Sequence, residues 1–343
     1  MSLRRAFANH IVSQGQVLYI FRPLTGIREG QSMNTTRGNR KIRNWKPDRL
    51  PDLSGRIYLI TGGNSGIGLE AAIMLAQAGG DIIIACRNEK KAADAAAQID
   101  AAGPGTVETV VLDLSSLASV RSASAEIHSR WDKLDALVNN AGIMQPPQTT
   151  TEDGFELQFG TNHLGHFLLA GLLYDLVEKA AGRIVVVSSI AHRLGRINFD
   201  DLMGEKKFNT SMAYGQSKLA NLMFALELDR RLQDAGSPVS CMACHPGYSA
   251  TALQSTGPEG LFNLVYKFLN PLVAQPAYKG AIPTVLAAAG EEAVPGRYYG
   301  PQKIGEARGP VGDARISRAA RDKAVAARLW EESEQLVGYE WKL

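Results

Sequence analysis

Residues 57–68 read Ile57-Tyr58-Leu59-Ile60-Thr61-Gly62-Gly63-Asn64-Ser65-Gly66-Ile67-Gly68. The apolar run favours a buried strand, and the turn that follows it opens a helix. Glycines permit a tight turn and let the backbone approach a pyrophosphate, which would rest at the positive end of that helix. The spacing is Gly-x-x-x-Gly-x-Gly, in the strand–turn–helix context that such a motif needs. A dinucleotide site is therefore expected, with these contact residues: Gly62, Asn64, Ser65, Gly66, Ile67 and Gly68.

Short apolar runs and helical stretches alternate along the rest of the chain. The predicted strands are Ile57–Thr61, Asp81–Cys86, Val107–Leu112, Ala136–Asn139, Arg183–Ser188 and Val239–His245. The predicted helices are Gly66–Ala78, Glu89–Ala101, Leu117–Arg130, Gly154–Ala180 and Ser211–Gln233, the last of them read as amphipathic. Continuous β-branched runs suit strands that are covered on both faces. The alternation predicts an α/β fold, with one doubly wound parallel sheet and helices on both faces.

Three regions are expected along the chain. Residues 1–52 form a basic N-terminal extension, and residues 53–305 form a dinucleotide-binding and catalytic domain with a substrate flap at about 250–289. Residues 306–343 form a C-terminal helical tail, with a terminal helix at Asp313–Val337 packed on the outside. A second globular domain is not needed to account for the length.

The first 46 residues carry nine Lys or Arg and a single acid, Glu29, in a chain whose net charge is only +3. Three interpretations stay open. The segment is a loosely packed extension, a mitochondrial-type presequence, or sequence upstream of a true start at Met33. No run approaches the roughly 18 apolar residues of a membrane span, and no known nucleic-acid module is recognisable in the basic segment. Neither a transmembrane segment nor a nucleic-acid partner is expected.

The three cysteines, Cys86, Cys241 and Cys244, argue against a disulfide scaffold and for a reducing compartment, so a cytoplasmic location is expected. Cys241 and Cys244 have the spacing of a redox motif, but they lie in a predicted strand, where neighbouring side chains alternate faces. His163 and His166 are accompanied by no cluster of further ligands, so no metal site is expected.

The end of the second predicted strand bears on the choice of cofactor. An acid here would hold the 2′-hydroxyl of NAD, whereas this chain has Cys86 followed by Arg87. A guanidinium fits a 2′-phosphate better, so NADP(H) is predicted over NAD(H). After the third strand, Asp113 could accept a hydrogen bond from adenine or cap the helix that begins near Ser116, and Leu114 is grouped with it as a cofactor contact.

Tyr214 and Lys218 lie four residues apart, which places a phenol and an ammonium on one helical face. The pKa of a free phenol is about 10, and a nearby fixed cation lowers it. A reduction by about three units corresponds to ~4 kcal/mol, much of which a close ammonium in a partly dry site could supply. Such a phenol can exchange a proton with an alcohol or carbonyl oxygen.

Five motifs occur in the order and at the structural positions of a known family. They are the glycine turn, Asn139-Asn140-Ala141-Gly142, Ser188-Ser189, Tyr214-x-x-x-Lys218 and His245-Pro246-Gly247. Together they strongly resemble the short-chain dehydrogenase/reductase family in its single-domain, Rossmann-type form, over about residues 53–305. The segment 162–167 and the gap from Ser189 to Tyr214 look like retinol-dehydrogenase-like and protochlorophyllide-reductase-like members. The segments 45–55 and 298–301 look like uncharacterised bacterial relatives.

The resemblance implies a role for each matching residue. Tyr214 would be the general acid/base, and Lys218 would lower its pKa and hold the nicotinamide ribose. Ser189 would bond the substrate oxygen, and Asn162 would kink its helix and anchor a water of a proton relay. The remaining cofactor contacts implied are Asn140, Ala141 and Gly142 on the adenine-side ribose, and Pro246, Gly247, Ser249 and Thr251 on the nicotinamide side.

The expected activity is interconversion of an alcohol and an aldehyde or ketone, with an apolar substrate held by the segment after Gly247 and by the insertion 192–210. That first segment is rich in Leu, Phe and Val with Lys267 as its lone cation, and it could equally pack on the core. A catalytically silent cofactor-binding regulator on the same fold is the alternative function. A homo-oligomer formed through the two long helices is a further expectation from the resemblance.

Overall fold

The computed structural model describes residues 41–249 and 275–343, and its central feature is one twisted sheet. The strands are β1 Ile57–Thr61, β2 Asp81–Cys86, β3 Val107–Val111, β4 Ala136–Asn139, β5 Arg183–Val187, β6 Ser240–Cys244, β7 Tyr298–Lys303 and β8 Arg308–Asp313. Their order is β3-β2-β1-β4-β5-β6-β7-β8. Each neighbouring pair is parallel except β7 and β8, which are antiparallel. The predicted doubly wound α/β fold is confirmed. Each of the six predicted strands begins and ends within one residue of its predicted bounds.

Helices cover both faces of this sheet. They are α1 Gly66–Gln77, α2 Glu89–Asp100, α3 Leu117–Arg130, α4 Leu157–Phe159, α5 Gly165–Leu172, α6 Tyr174–Lys179, α7 Thr210–Asp234, α8 Ala277–Ala289 and α9 Lys323–Val337. One apolar core lies between the sheet and α1, α2 and α8, and a second lies beneath α3, α5, α6 and α7. Cys241 belongs to one core and Cys244 to the other, so the two thiols face opposite sides of β6.

Two predicted helices differ from the observed ones. The stretch Gly154–Ala180 is divided into α4, a π-helical turn at Gly160–Leu164, α5 and α6. Helix α7 is buried at every position from Tyr214 to Ala225, although its sequence was expected to present a polar face to solvent. The reason is tertiary: β5 and β6 cover one side of α7, and α9 covers another.

The sheet continues beyond the predicted domain limit at residue 305. Strand β8 ends at Asp313, where the sequence predicts the start of the terminal helix, and α9 begins only at Lys323 after its cap, Asp322. The segment Arg308-Gly-Pro-Val-Gly-Asp313 has no apolar alternation, so its pairing with β7 depends on the neighbouring strand rather than on its own pattern.

The described part of the predicted N-terminal extension also joins the sheet. Trp45 is buried, and its backbone N–H donates to the carbonyl of Val311 at 2.9 Å. Its indole N–H donates to Glu292 at 2.9 Å. Residues 42–45 thus cover the outer edge of β8, so among the described residues the sheet domain begins before residue 53.

Candidate active site

Most of the predicted site residues lie at one edge of the sheet, because they follow the carboxyl ends of parallel strands, whereas Asn162, Tyr214 and Lys218 lie within helical segments. In an open α/β sheet this edge is where ligands bind, beside the point at which the strand order reverses. Here the reversal falls between β1 and β4. The glycine turn follows β1, and the loop that carries Asn140, Ala141 and Gly142 follows β4, so the two lie side by side.

The glycine turn has the backbone that its sequence requires. Gly62 and Gly66 have φ values of 66° and 55°, in the left-handed region that favours glycine. A Cβ on Gly68 would lie 2.5 Å from Asn140 Nδ2, so only glycine allows α1 to approach the β4 loop this closely. Asn140 in turn donates to the carbonyl of Thr61 at 2.8 Å.

The start of α1 fits a pyrophosphate. Ser65 occupies the N-cap position with an extended backbone, and its side chain makes no capping hydrogen bond. The serine hydroxyl and the first amides of α1 therefore remain as donors at the positive end of a helix of 12 residues. Asn64, Ile67 and Gly68 belong to the same turn, so the structure brings the predicted phosphate contacts together.

Arg87 and Asp113 face each other across the ends of β2 and β3. Arg87 Nη1 lies 3.9 Å from Asp113 Oδ2, and the arginine side chain is 68% exposed. Asp113 is not the cap of α3, because Ser116 holds that position, and Asp113 accepts instead from the N–H and hydroxyl of Ser115 at 2.9 and 2.6 Å. An exposed pair of this kind stabilises little, which leaves the guanidinium available to an anion. Leu114 is buried beside this pair.

Tyr214 and Lys218 are both buried, at 9% and 4% exposure, so they are not a solvated surface pair. Lys218 Nζ lies 5.9 Å from the centre of the Tyr214 ring and donates to the carbonyl of Val187 at 3.3 Å. Burial lowers the pKa of Lys218 to about 8, so its ammonium form still predominates at pH 7. The Ser188 hydroxyl donates to the carbonyl of Lys218 at 2.7 Å and ties α7 to the end of β5.

Asn162 lies in the π-helical turn, next to Lys218. A Cβ on Gly142 would lie 3.1 Å from Asn162 Oδ1 and 3.3 Å from Lys218 Nζ, so these two groups flank Gly142. Asn162 accepts from the N–H of Ile143 at 2.8 Å, and its Nδ2 donates to the Ile143 carbonyl and to Ser217 Oγ, each at 3.0 Å. The expected interruption of its helix is present, and the side chain bridges the β4 loop to α7.

Ser189 is the N-cap of a 3₁₀ turn, Ile190–Arg193, and its hydroxyl oxygen accepts from the N–H of Ala191 at 3.2 Å. The capping role and the expected substrate role are compatible, because a hydroxyl that accepts a hydrogen bond still has a proton to donate. The Ser189 carbonyl accepts from His192 Nδ1 at 2.6 Å, so the turn is closed by its own histidine.

The loop after β6 carries the residues that are predicted to contact the nicotinamide side of the cofactor. Gly247 has a φ of 69°, and the Pro246 carbonyl accepts from Ser249 Oγ at 3.0 Å and from Gln275 Nε2 at 2.6 Å. Thr251 lies outside the described residues, as does the apolar segment 253–269 that was expected to hold the substrate. Helix α8 packs behind this loop, since a Cβ on Gly280 would meet the side chain of Ser249.

Thr61 and His166 support the site although the sequence did not single them out for it. Thr61 Oγ1 accepts from the amides of Asn140 and Ala141 at 2.9 and 3.0 Å. The hydroxyl also contacts His166 Nε2 at 2.8 Å, and His166 Nδ1 bonds the Asn162 carbonyl at 3.0 Å. Burial lowers the pKa of His166 to about 4, so the ring is neutral. A buried strand residue and a helix-face histidine give no sequence signal for this connection.

His163 and His166 have structural partners rather than a shared ligand. His163 Nε2 contacts the hydroxyl of Ser333 at 2.9 Å, whereas His166 contacts Thr61. Within residues 41–249 and 275–343, no three His, Cys, Asp or Glu side chains are grouped so that they could hold a metal ion. The helices of these two ranges also include none with the length and apolar content of a membrane span.

Comparison with known proteins agrees with this geometry. Residues 56–261 match the profile of the family described as short chain dehydrogenase. Retinol dehydrogenase 13 from Homo sapiens is 44% identical over 297 residues, covering 84% of this chain and 86% of that protein. The crystal structure of an uncharacterized protein from Mycobacterium paratuberculosis is 40% identical with a TM-score of 0.74, covering 88% of this chain and 100% of that chain.

A second solved structure is the RhlG/NADP active-site complex from Pseudomonas aeruginosa. It is 25% identical, has a TM-score of 0.57 and covers 72% of this chain and 94% of that chain. The fold, the glycine turn and the buried Tyr–Lys pair thus coincide with an extensive sequence similarity. The chain therefore belongs to the short-chain dehydrogenase/reductase family and is an NAD(P)-dependent oxidoreductase that acts on CH–OH groups.

Proposed function

We propose that this enzyme interconverts an apolar alcohol and its aldehyde or ketone with NADP(H), and that Tyr214 is the general acid/base. The observation that carries the proposal is the buried pair of Tyr214 and Lys218, which lies beside Gly142 and Asn162 at the cofactor edge of the sheet. A tuned acid/base of this kind typically contributes about 10²- to 10⁴-fold to the rate.

Each residue has a separate role in the proposed reaction. The nicotinamide, when bound, supplies the hydride in reduction or accepts it in oxidation. The Ser189 hydroxyl donates a hydrogen bond to the substrate oxygen and polarises it. Tyr214 gives its phenolic proton to that oxygen in reduction, and the Lys218 ammonium stabilises the phenolate that remains. Both side chains are buried, so their electrostatic interaction is stronger than it would be in water.

The substrate class rests on a relative and on composition. The name of retinol dehydrogenase 13 indicates an apolar alcohol. Residues 251–274 of this chain contain Lys267 as their lone cation, which leaves little to bind a phosphate or carboxylate. A panel of hydrophobic aldehydes, ketones and quinones, with NADPH oxidation as the readout, tests this class. Turnover confined to small charged carbonyls would refute it.

The role of Tyr214 is tested by Tyr214→Phe. We expect turnover to fall by about 10²- to 10⁴-fold, because the proton donor is removed, while NADPH binding stays nearly unchanged. Tyr174→Phe is the matched control. Tyr174 is also a buried tyrosine, but it lies on α6 rather than α7 and bonds Glu178 and Ser237. Wild-type protein that binds NADPH and turns over no carbonyl or alcohol would instead favour the silent regulator.

The preference for NADP(H) rests on Arg87, exposed at the end of β2, and the RhlG complex with NADP supports it by similarity. Arg87→Ala should raise the KM for NADPH by about 10- to 100-fold, since a hydrogen bond to a charged group contributes about 1.5–3 kcal/mol. The KM for NADH should not change. Lys90→Ala removes a nearby charge from α2 and is the control. A wild-type preference for NADH would contradict the proposal.

We propose a cytoplasmic location and a homo-oligomer whose interface, unlike the one expected from the resemblance, lies away from α5 and α7. The three cysteines are free and buried, which suits a reducing compartment. The α5 and α7 face is covered by α9 of the same chain, so pairing there would first require that helix to leave.

A further inference from the structure

The connection between β7 and β8 has an unusual backbone. Ile304, Gly305 and Glu306 have φ values of 49°, 63° and 72°, so three successive residues are left-handed. This conformation costs roughly 1–2 kcal/mol for each residue that carries a Cβ, and it is least suited to a β-branched side chain such as Ile304. Backbone strain of this kind persists where the surrounding contacts require it, and it is concentrated at functional sites.

The turn directs the carboxylate of Glu306 inward, where it meets two loops of the active site. Glu306 Oε2 accepts from Arg193 Nη2 at 2.5 Å and lies 3.4 Å from His245 Nε2. Its other oxygen accepts from the N–H of Arg315 at 3.0 Å. The side chain is only 10% exposed, so it is a buried carboxylate whose neighbours come from three separate segments.

The first loop is the turn that Ser189 caps. Arg193 ends this turn, and besides its bond to Glu306 it donates from Nη1 to the carbonyl of Gly305 at 3.1 Å. The left-handed connection therefore holds the guanidinium through two acceptors. Because His192, the preceding residue, bonds the Ser189 carbonyl at 2.6 Å, a displaced Arg193 would also displace the serine.

The second loop is the one that follows β6. The N–H of Gly247 donates to His245 Nδ1 at 3.1 Å, so this nitrogen is unprotonated and the ring proton is on Nε2, which lies 3.4 Å from Glu306 Oε2 without the geometry of a hydrogen bond. Next to Glu306, the carbonyl of Ala307 accepts from the N–H of Tyr248 at 2.7 Å. Glu306 and Ala307 thus orient the loop that carries Pro246 and Gly247.

The charge states are consistent with this arrangement. Burial lowers the pKa of His245, so its ring is neutral at pH 7. Burial opposes ionisation of Glu306, but His245 and Arg193 hold its pKa below the ordinary value, so the carboxylate is charged. The ring of Tyr298, on β7, packs between the two histidines, 5.0 Å from His245 and 5.5 Å from His192.

We propose that Glu306 is a positioning residue that holds the Ser189 turn and the His245–Gly247 loop in register across the active site. This inference rests on the proposed function, because it assigns Ser189 to the substrate oxygen and Gly247 to the nicotinamide side. A displacement of about 1 Å in such groups can lower the rate about 10²-fold. The left-handed backbone at residues 304–306 places this carboxylate between the two loops.

The test compares Glu306→Gln with Glu227→Gln. Glu227 is also a buried carboxylate held by two arginines, Arg230 and Arg231, but it lies in the distal part of α7. Both variants should be less stable than the wild type. Only Glu306→Gln should lower kcat, by about 10- to 100-fold, with less than about a threefold change in the Kd of NADPH, because the glycine turn and Arg87 are untouched.

A second readout uses the protein without cofactor. Amide hydrogen exchange at residues 189–195 and 245–249 should be at least about tenfold faster in Glu306→Gln than in the wild type and unchanged in Glu227→Gln. Wild-type kcat together with unchanged exchange in both segments would overturn the proposal. If Glu306→Gln does not fold, Arg193→Lys replaces it, and the same two readouts apply. Tyr214→Phe, assayed in parallel, reports separately on the proposed function.

Discussion

At the scale of the residue, Lys218 shows the conflict between stability and chemistry. A buried ammonium loses its hydration, and burial is the first cause of its lowered pKa. Its Nζ donates to the carbonyl of Val187 at 3.3 Å, and no Asp or Glu contributes to its pKa shift. The buried lysine therefore lowers the stability of the fold, and its proposed role, stabilising a phenolate on Tyr214, would account for its position.

Lys218→Met should make the protein more stable at neutral pH and inactive. The pKa of Lys218 is about 8 in the folded chain, against an ordinary value of 10.5, so the unfolded chain binds more protons between these two pH values. The lysine therefore destabilises the fold by about 3 kcal/mol below pH 8, and this cost disappears as the pH rises towards 10.5. The Val187 carbonyl keeps a donor in Asn221, at 3.3 Å.

Urea unfolding of both proteins at pH 7 and pH 9.5 measures this difference. The stability advantage of the variant should shrink at the higher pH. Lys206→Met, an exposed lysine, should change stability by less than about 0.5 kcal/mol at either pH. A variant less stable than the wild type at pH 7 would contradict the expectation.

At the scale of the element, the π-helical turn Gly160–Leu164 explains how the Asn162 side chain bonds both the β4 loop and α7. A π turn widens the helix and is frequently found at functional sites. Here it places Asn162 so that one amide bonds both the N–H and the C=O of Ile143 and also Ser217. The β4 loop, which carries Gly142, is thereby attached to α7, which carries Tyr214 and Lys218.

Asn162→Ala should lower both stability and turnover. It leaves the part-buried N–H and C=O of Ile143 without their Asn162 partner, which costs up to about 1–3 kcal/mol for each group that water does not reach. Because the β4 loop and α7 lose their connection, kcat should fall by about 10- to 100-fold. Asn209→Ala is the control: it removes the cap of α7 and should cost about 1 kcal/mol with kcat unchanged. Equal kcat values for the two variants would count against this interpretation.

At the scale of the whole molecule, α9 closes the core that the sheet and α7 begin. Trp330 packs against Phe167 and Trp341, each with a ring-centre distance of 5.0 Å, and Arg231 lies 4.5 Å above its ring. Tyr339 donates to the carbonyl of Gly171 at 2.9 Å, so the chain after α9 is held against α5. This face is consequently internal to one chain.

Trp330→Ala should lower the free energy of unfolding by about 3–5 kcal/mol, the usual cost of such a cavity. Since the contacts are intramolecular, the loss should be the same at low and high protein concentration. Urea unfolding at two concentrations, together with light scattering of the wild type, measures this. Leu194→Ala, at a position that is 74% exposed, is the control. A loss that depends on concentration would instead place Trp330 at an interface between copies.

The sequence predicted the six parallel strands β1 to β6 well, but it did not predict β8 or the contact of Trp45 with it. Strands β1 to β6 have short apolar or β-branched runs between helical stretches, and each was found within one residue of its predicted bounds. Strand β8 contains two glycines and a proline, and Trp45 belongs to a segment without periodicity. Strand β8 is ordered by its hairpin pairing with β7, and Trp45 by its bridge to Val311, which is distant in sequence, so neither is recorded in the apolar pattern of its own segment.

The sequence by itself determined which residues are candidates for catalysis and cofactor binding, and which strand each of them follows along the chain. Parallel strands bring their carboxyl ends to one edge, so the loops that carry Gly66, Asn140, Ser189 and Gly247 are expected at that edge once the strand order is known. What only the tertiary structure decided is the support of these groups. Burial of Lys218, the bridge made by Asn162 and the carboxylate of Glu306 depend on side chains from segments far apart in the chain. Their interactions become strong only when packing has excluded water, and no local sequence pattern records that exclusion.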